Sequence, residues 1–235
     1  MTASDLSPAE PARLERTEGG VAVLRLCAGE NRFRPDSLAA IAGALDEVEA
    51  DATVGGLVLT GEGRFFSNGL DLEWIGAHGG AGGSGRAEVL LGLQEILARL
   101  MTFPTVTVAA VNGHAYAGGA MLALACDFRV MRADRGYLCL PEVDLGMPFT
   151  LGMTALLQAR MTPATAIAAM GFGARYDAAE AMAAGLVCEA AGESEVVPAA
   201  LARASASAGK NRGTLRTIKE RLYAEPVTAL RTETF

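Results

Sequence analysis

The 235-residue chain holds only two histidines, His78 and His114, and no H-E-x-x-H pair, so it offers no zinc-site pattern. Its four cysteines, Cys27, Cys126, Cys139 and Cys188, are widely spaced and form no C-x-x-C pair. That usage predicts reduced thiols in a cytoplasmic protein rather than a disulfide framework. No apolar run approaches the roughly 18 residues of a spanning helix, so no membrane partner is expected. The opening stretch, MTASDLSPAEPARLERTEGG, lacks the basic segment and apolar centre of a secretory leader. Positive charge is scarce as well: the net charge is −7, and the absence of a basic stripe argues against a nucleic-acid partner. There is no G-x-S-x-G, hence no nucleophile elbow. GHAYAGGA has the glycine spacing of a phosphate loop, but Gly119 and Ala120 stand where Lys and Ser or Thr are required. GEGRFF lacks the third glycine of a dinucleotide fingerprint.

What remains is a chain with 51% hydrophobic residues and 28 glycines, long enough for one large core. Residues 1–15 read as a polar tail. GGVAVLRLC alternates as a strand, and PDSLAAIAGALDEVEAD puts Leu38, Ile41, Ala42, Leu45 and Val48 on one helical face. GGLVLTG and TVTVAAV read as buried strands, with the helix AEVLLGLQEILARLM between them, ended by Pro104. The glycine-rich stretch from Gly76 to Gly85 is expected to be a mobile loop. DFRVMR and GYLCL are strand-like, and the remainder reads as mostly helical. Thr162 caps a helix with Pro163 at its first position, and another runs from Asp177 to Gly185. The pattern predicts an α/β core followed by helices, in one continuous unit.

Two segments, FFSNGLDL and NGHAYAGGAM, each bring a glycine-bearing turn into a helix start. The first N–H groups of a helix have no internal partner and carry the positive end of its dipole. Two such groups aimed at one point would hold an oxyanion. On the residues alone, an ordinary turn role for these glycines stays open.

GRFFSNGLDL, AAVNGHAYAGGAMLALACDFRVM and LPEVDLGM resemble, in order and spacing, the three signature segments of the crotonase (enoyl-CoA hydratase/isomerase) superfamily. The likeness runs from about Val21 to Val187. It implies a spiral of strand–strand–helix repeats over residues 16–190. A helical region, 191–235, would pack on the core or on a neighbouring subunit and assemble trimers or dimers of trimers. It also implies an acyl-CoA thioester substrate, with coenzyme A as part of that substrate and no separate cofactor. The donors of the oxyanion hole would be the backbone N–H groups of Leu70 and Gly118. Asn68, Gly69, Asp71, His114, Gly119 and Met121 would form the substrate-binding wall.

The family's hydratases flank the substrate with two glutamates. One position is Met121 here, which can neither hold water nor give a proton; the other is Glu142. A single carboxylate suits the family's isomerases, and FFSNGLDLEW and PEVDLGMP resemble the Δ3,Δ2-enoyl-CoA isomerases more than the hydratases. Dienoyl isomerases carry Asp where Met121 stands. The alternatives are a hydratase with an unexpected second acid, or an acyl-CoA-binding protein with little catalysis. Asp144 is expected to bond backbone near Gly146, His114 to serve as packing or pocket wall, and Arg32, Arg34 and Lys219 to be solvated charges or contacts for coenzyme A phosphates.

Overall fold

The computed structural model describes residues 10–78 and 84–232. In chain order the elements are β1 (Ala12–Arg16), β2 (Val21–Leu26), α1 (Pro35–Ala50), β3 (Gly56–Gly61), β4 (Phe65–Ser67), α2 (Leu72–His78), α3 (Ser84–Met101), β5 (Val106–Val111), β6 (His114–Tyr116), α4 (Gly118–Ala125), β7 (Phe128–Arg132) and β8 (Leu138–Cys139). After a 3-10 turn at Pro141–Val143 come α5 (Leu151–Arg160), α6 (Pro163–Ala166), a π-helical turn at Ile167–Gly171, β9 (Arg175–Tyr176), α7 (Ala178–Ala183), β10 (Glu189–Ala191), α8 (Val196–Ser205), α9 (Arg212–Leu222) and α10 (Ala224–Thr232).

Two sheets organise the chain. The larger has the order β1-β2-β3-β5-β7-β10 and the smaller β4-β6-β8-β9. Every pairing is parallel except β1 with β2 and β8 with β9. Central parallel strands are covered on both faces, which is why β3 (GLVLTG) and β5 (VTVAAV) are apolar runs buried at every position. Each turn of the chain adds one strand to the larger sheet and the next to the smaller: β3 then β4, β5 then β6, β7 then β8. The first turn has only a single parallel bridge, Phe33 to Leu70, in place of its second strand. This is the strand–strand–helix repeat of the crotonase fold. The main core, with Phe33, Phe66 and Phe103 fully buried, fills the space between the larger sheet and α1, α3 and α4. A second apolar layer lies across that sheet, where α8 buries Val196, Ala200 and Ala204.

The reading from sequence differs at four places. β1 begins at Ala12, inside the stretch expected to be a tail; it is a charged edge strand that forms a hairpin with β2 through the turn at residues 17–20. His114–Tyr116, read as part of a glycine-bearing turn, is strand β6. The region expected to be mostly helical also supplies β9 and β10. Gly76 belongs to α2 and Gly85 to α3, so helices occupy both ends of the expected glycine loop, while residues 79–83 lie outside the described ones.

Candidate active site

Three neighbouring parallel strands, β4, β6 and β8, end on the same edge of the smaller sheet. Their next residues are therefore brought together: Asn68, Gly69 and Leu70 after β4, Ala117 and Gly118 after β6, Pro141 and Glu142 after β8. Asn68, Leu70, Gly118, Met121 and Glu142 all line one cavity of about 710 Å³.

At the first strand end, Gly69 turns the chain with φ +77. A side chain there would meet Tyr116 O at 2.9 Å and Gly118 N at 3.0 Å, so the two backbone segments are in close approach. Phe33 N–H donates to Gly69 O (2.7 Å) and Asp71 N–H to Phe33 O (2.9 Å). A parallel bridge uses the residues on either side of Leu70, which leaves Leu70's own N–H facing away from Phe33. At the second strand end, Ala117 takes φ 49 and ψ −123, a strained conformation for a non-glycine residue. The turn starts α4 abruptly, and Gly118 N–H falls in its first turn, where no intrahelical acceptor exists. Neither N–H, of Leu70 or of Gly118, has a hydrogen-bond partner among the described residues.

Glu142 sits in the 3-10 turn behind Pro141 and is 7% exposed. Its Oε2 is buried, with no hydrogen-bond partner among the described residues. Burial disfavours the charged form and pushes its pKa up to about 7. Met121, one turn into α4, is also buried against the cavity. Glu73 lines the mouth too, but its carboxylate is 89% exposed and paired with Arg32 (3.6 Å). Among the described residues, the cavity thus combines two unsatisfied backbone donors with one buried carboxylate whose Oε2 is unpartnered.

The family model for enoyl-CoA hydratase/isomerase matches residues 16–234. The chain belongs to that family. Enoyl-CoA delta isomerase 3 of Arabidopsis thaliana is 37% identical over 202 residues, covering 83% of this chain and 85% of its own. A putative enoyl-CoA hydratase of Thermus thermophilus is 38% identical over 213 residues, covering 89% and 83%. The apo structure of an enoyl-CoA isomerase from Mycobacterium tuberculosis matches with a TM-score of 0.87 at 31% identity, over 95% of this chain and 96% of that one.

Within this member of the enoyl-CoA hydratase/isomerase family, four residues of the expected binding wall stand behind the cavity rather than in it. Gly69 shapes the turn. Asp71 caps α2 by accepting Trp74 N–H (3.0 Å). At Gly119 a Cβ would come within 2.2 Å of Ser67 O, so the glycine lets α4 press against β4. His114 lies at the opposite end of β6 among Phe65, Tyr116 and Tyr137, with ring centroids 5.2–5.9 Å apart. Burial and the nearby Arg64, Arg135 and Arg175 lower its pKa. Asn68 reaches Glu30 Oε2 (2.8 Å). Asp144 is exposed, and it is its backbone N–H, donated to Pro141 O, that closes the 3-10 turn.

The cations divide in the same way. Arg32 lines the cavity, held by Glu30 at 2.8 Å, whereas Arg34 pairs with Asp36 at 2.7 Å and does not line it. Lys219 is neither solvated nor available to phosphate: it is 4% exposed and donates to Phe103 O, Thr105 O and Asp127 Oδ2. Arg86 and Arg175 line the cavity and were not singled out from sequence. Sequence reasoning also missed the support under Leu70. Asn31, at φ 53, donates to Phe65 O and Phe66 O, and Ser67 Oγ donates to Asn31 O (2.7 Å) and accepts Gly69 N–H. Ser67, two positions before the turning glycine, was the only local signal of it.

Proposed function

We propose that this enzyme shifts the double bond of a 3-enoyl-CoA to give the 2-enoyl-CoA, with Glu142 as its single proton carrier. The buried Glu142 carboxylate, whose Oε2 has no partner among the described residues and which lines the same cavity as Met121, carries this reading. The Leu70 and Gly118 N–H groups take the thioester oxygen. Glu142, ionised, removes the proton from C2. The electron pair moves into the carbonyl to form a dienolate, whose negative oxygen the two N–H groups stabilise. The same carboxyl returns the proton to C4, and the double bond settles between C2 and C3. A carrier with a pKa of about 7 is matched to both halves of that transfer at neutral pH.

Hydration would require a second group to position water or give a proton, and Met121 supplies neither. The putative hydratase from Thermus thermophilus, as similar as the Arabidopsis isomerase, keeps hydration as the second reading. A protein that only bound acyl-CoA would gain nothing from burying an unpaired carboxylate, which is costly. The test is Glu142→Gln: acyl-CoA binding is retained and isomerase turnover falls by about 10²–10⁴-fold or more, the usual contribution of a positioned base. Near-normal turnover in this variant would overturn the assignment.

A further inference from the structure

The cavity wall is not apolar throughout. Leu90, Leu93, Phe149 and Met153 line it, and so do Tyr116 of β6, Cys139 of β8 and Arg175 of β9. Tyr116 pairs with Cys139 in one ladder and Cys139 with Arg175 in the next, so these three side chains share one face of the smaller sheet. Burial pushes the Tyr116 phenol and the Cys139 thiol up, and the nearby Arg175 charge opposes it at both. Among the described residues, no carboxylate lies within ion-pair distance of Arg175. Glu142 is not its counter-ion either: burial raises the Glu142 pKa, a backbone hydrogen bond opposes that, and no cation enters the balance. The Tyr116 hydroxyl likewise makes no hydrogen bond among the described residues. Arg32 is the contrast, lining the same cavity but held by Glu30 (2.8 Å) and Glu73 (3.6 Å).

A guanidinium only donates, so a plain alkyl tail offers it nothing. The position of Arg175 also points away from the phosphates of coenzyme A. Its register partner Cys139 ends β8, and Glu142 follows in the next turn. Arg175 thus belongs to the wall beside the reacting carbons, whereas the phosphates lie a whole pantetheine arm from the thioester. We propose that Arg175, with Tyr116 beside it, is a specificity-determining pair that selects acyl chains ending in a carboxylate over plain alkyl chains. This deepens the reading of the cavity as an acyl-CoA site and rests on it. The planar guanidinium takes both carboxylate oxygens, and the Tyr116 hydroxyl adds a further donor. A methyl end makes none of these bonds.

The test reads binding, so it does not depend on turnover. Saturated acyl-CoAs of four, six and eight carbons are titrated into the purified protein, each as the plain acyl thioester and as the half-thioester of the matching diacid. At the length that brings the carboxylate to Arg175, the diacid thioester binds more tightly than the plain one. On Arg175→Met that preference falls about tenfold, the worth of a hydrogen-bonded charge. On Tyr116→Phe it falls about two- to fivefold. Arg175 is exposed, so its replacement leaves the core intact, and a melting curve checks that each variant folds. An equal loss of affinity for plain and diacid thioesters in Arg175→Met would put this arginine at a coenzyme A phosphate and overturn the proposal. So would the lack of a diacid preference at all three lengths, or a preference that survives Arg175→Met. Failure of every acyl-CoA to bind is a different result, and it overturns the acyl-CoA reading together with this one.

Discussion

Glu142 holds its proton more tightly in the folded chain than in the unfolded one, and this couples stability to the same group as activity. Its folded pKa of about 7 lies above the ordinary 4.5. Between those values the native state binds more protons than the unfolded state, so stability falls as pH rises through that window. The stabilising effect of the neutral form is complete below about pH 4.5 and lost above about pH 7. The loss is on the order of 3 kcal/mol. Glu142→Gln, which stays neutral, should therefore melt higher than the unmodified protein at pH 8, with the difference closing near pH 5. Equal shifts at both pH values would mean that the carboxylate is not desolvated. Isomerase turnover has the opposite dependence: it needs the ionised base and should rise with pH toward a plateau above about pH 7. Met121→Glu puts a second carboxylate in the same cavity. Like-charge repulsion raises the Glu142 pKa further, and isomerase kcat at pH 7 should drop by at least tenfold. A variant with unchanged kcat and an unchanged pH profile would show that the apolar character of position 121 is irrelevant.

The donors depend on elements more than on side chains. Ala117's strained turn and the close contact of α4 with β4 set where Gly118 N–H lies. Gly119→Ala forces a methyl to within 2.2 Å of Ser67 O, a backbone atom that cannot swing away. The start of α4 must then shift. The expected outcome is a loss of about 1–3 kcal/mol in stability and a fall in kcat of about tenfold or more, with acyl-CoA affinity less affected. Normal kcat would show that α4 does not position a catalytic donor. The same elements show what a sequence reader can and cannot see. α1, β3 and β5 were legible because burial writes period and apolar runs directly into the chain. β6 and β9 have three and two residues, and their pairing is decided by strands far away in sequence. The three signature segments were legible as motifs, and Glu142, Leu70 and Gly118 came with them. The buried bonds of Asn31 and Ser67 were not, because a hydrogen bond to a distant carbonyl leaves no local pattern. Lys219 looked like any surface lysine until α9 packed it against Asp127.

At the scale of the whole molecule, the C-terminal helices are fastened to the core by buried charge. Lys219 joins α9 to Asp127, which also accepts Thr107 N–H (2.9 Å) at the start of β5. Arg212 donates to the carbonyls of Val48, Glu49, Asp51 and Val54 at the end of α1. Arg160 stacks on Tyr223, 4.3 Å from its ring centroid. Lys219→Met strands Asp127 in a buried site and should cost about 3–5 kcal/mol, read as a lower melting temperature. Turnover at low temperature should survive, because Lys219 is not among the residues that line the cavity. Loss of turnover in a fully folded Lys219→Met protein would instead give this pair a direct part in catalysis. The strand ends of the smaller sheet converge on a buried carboxylate and two N–H groups that are free among the described residues. The most direct test of that convergence is a side-by-side measurement of kcat/KM on a 3-enoyl-CoA and a 2-enoyl-CoA of the same chain length. A single proton carrier without a second acid predicts that isomerisation of the 3-enoyl-CoA is much the faster reaction. Faster addition of water to the 2-enoyl-CoA would contradict the account.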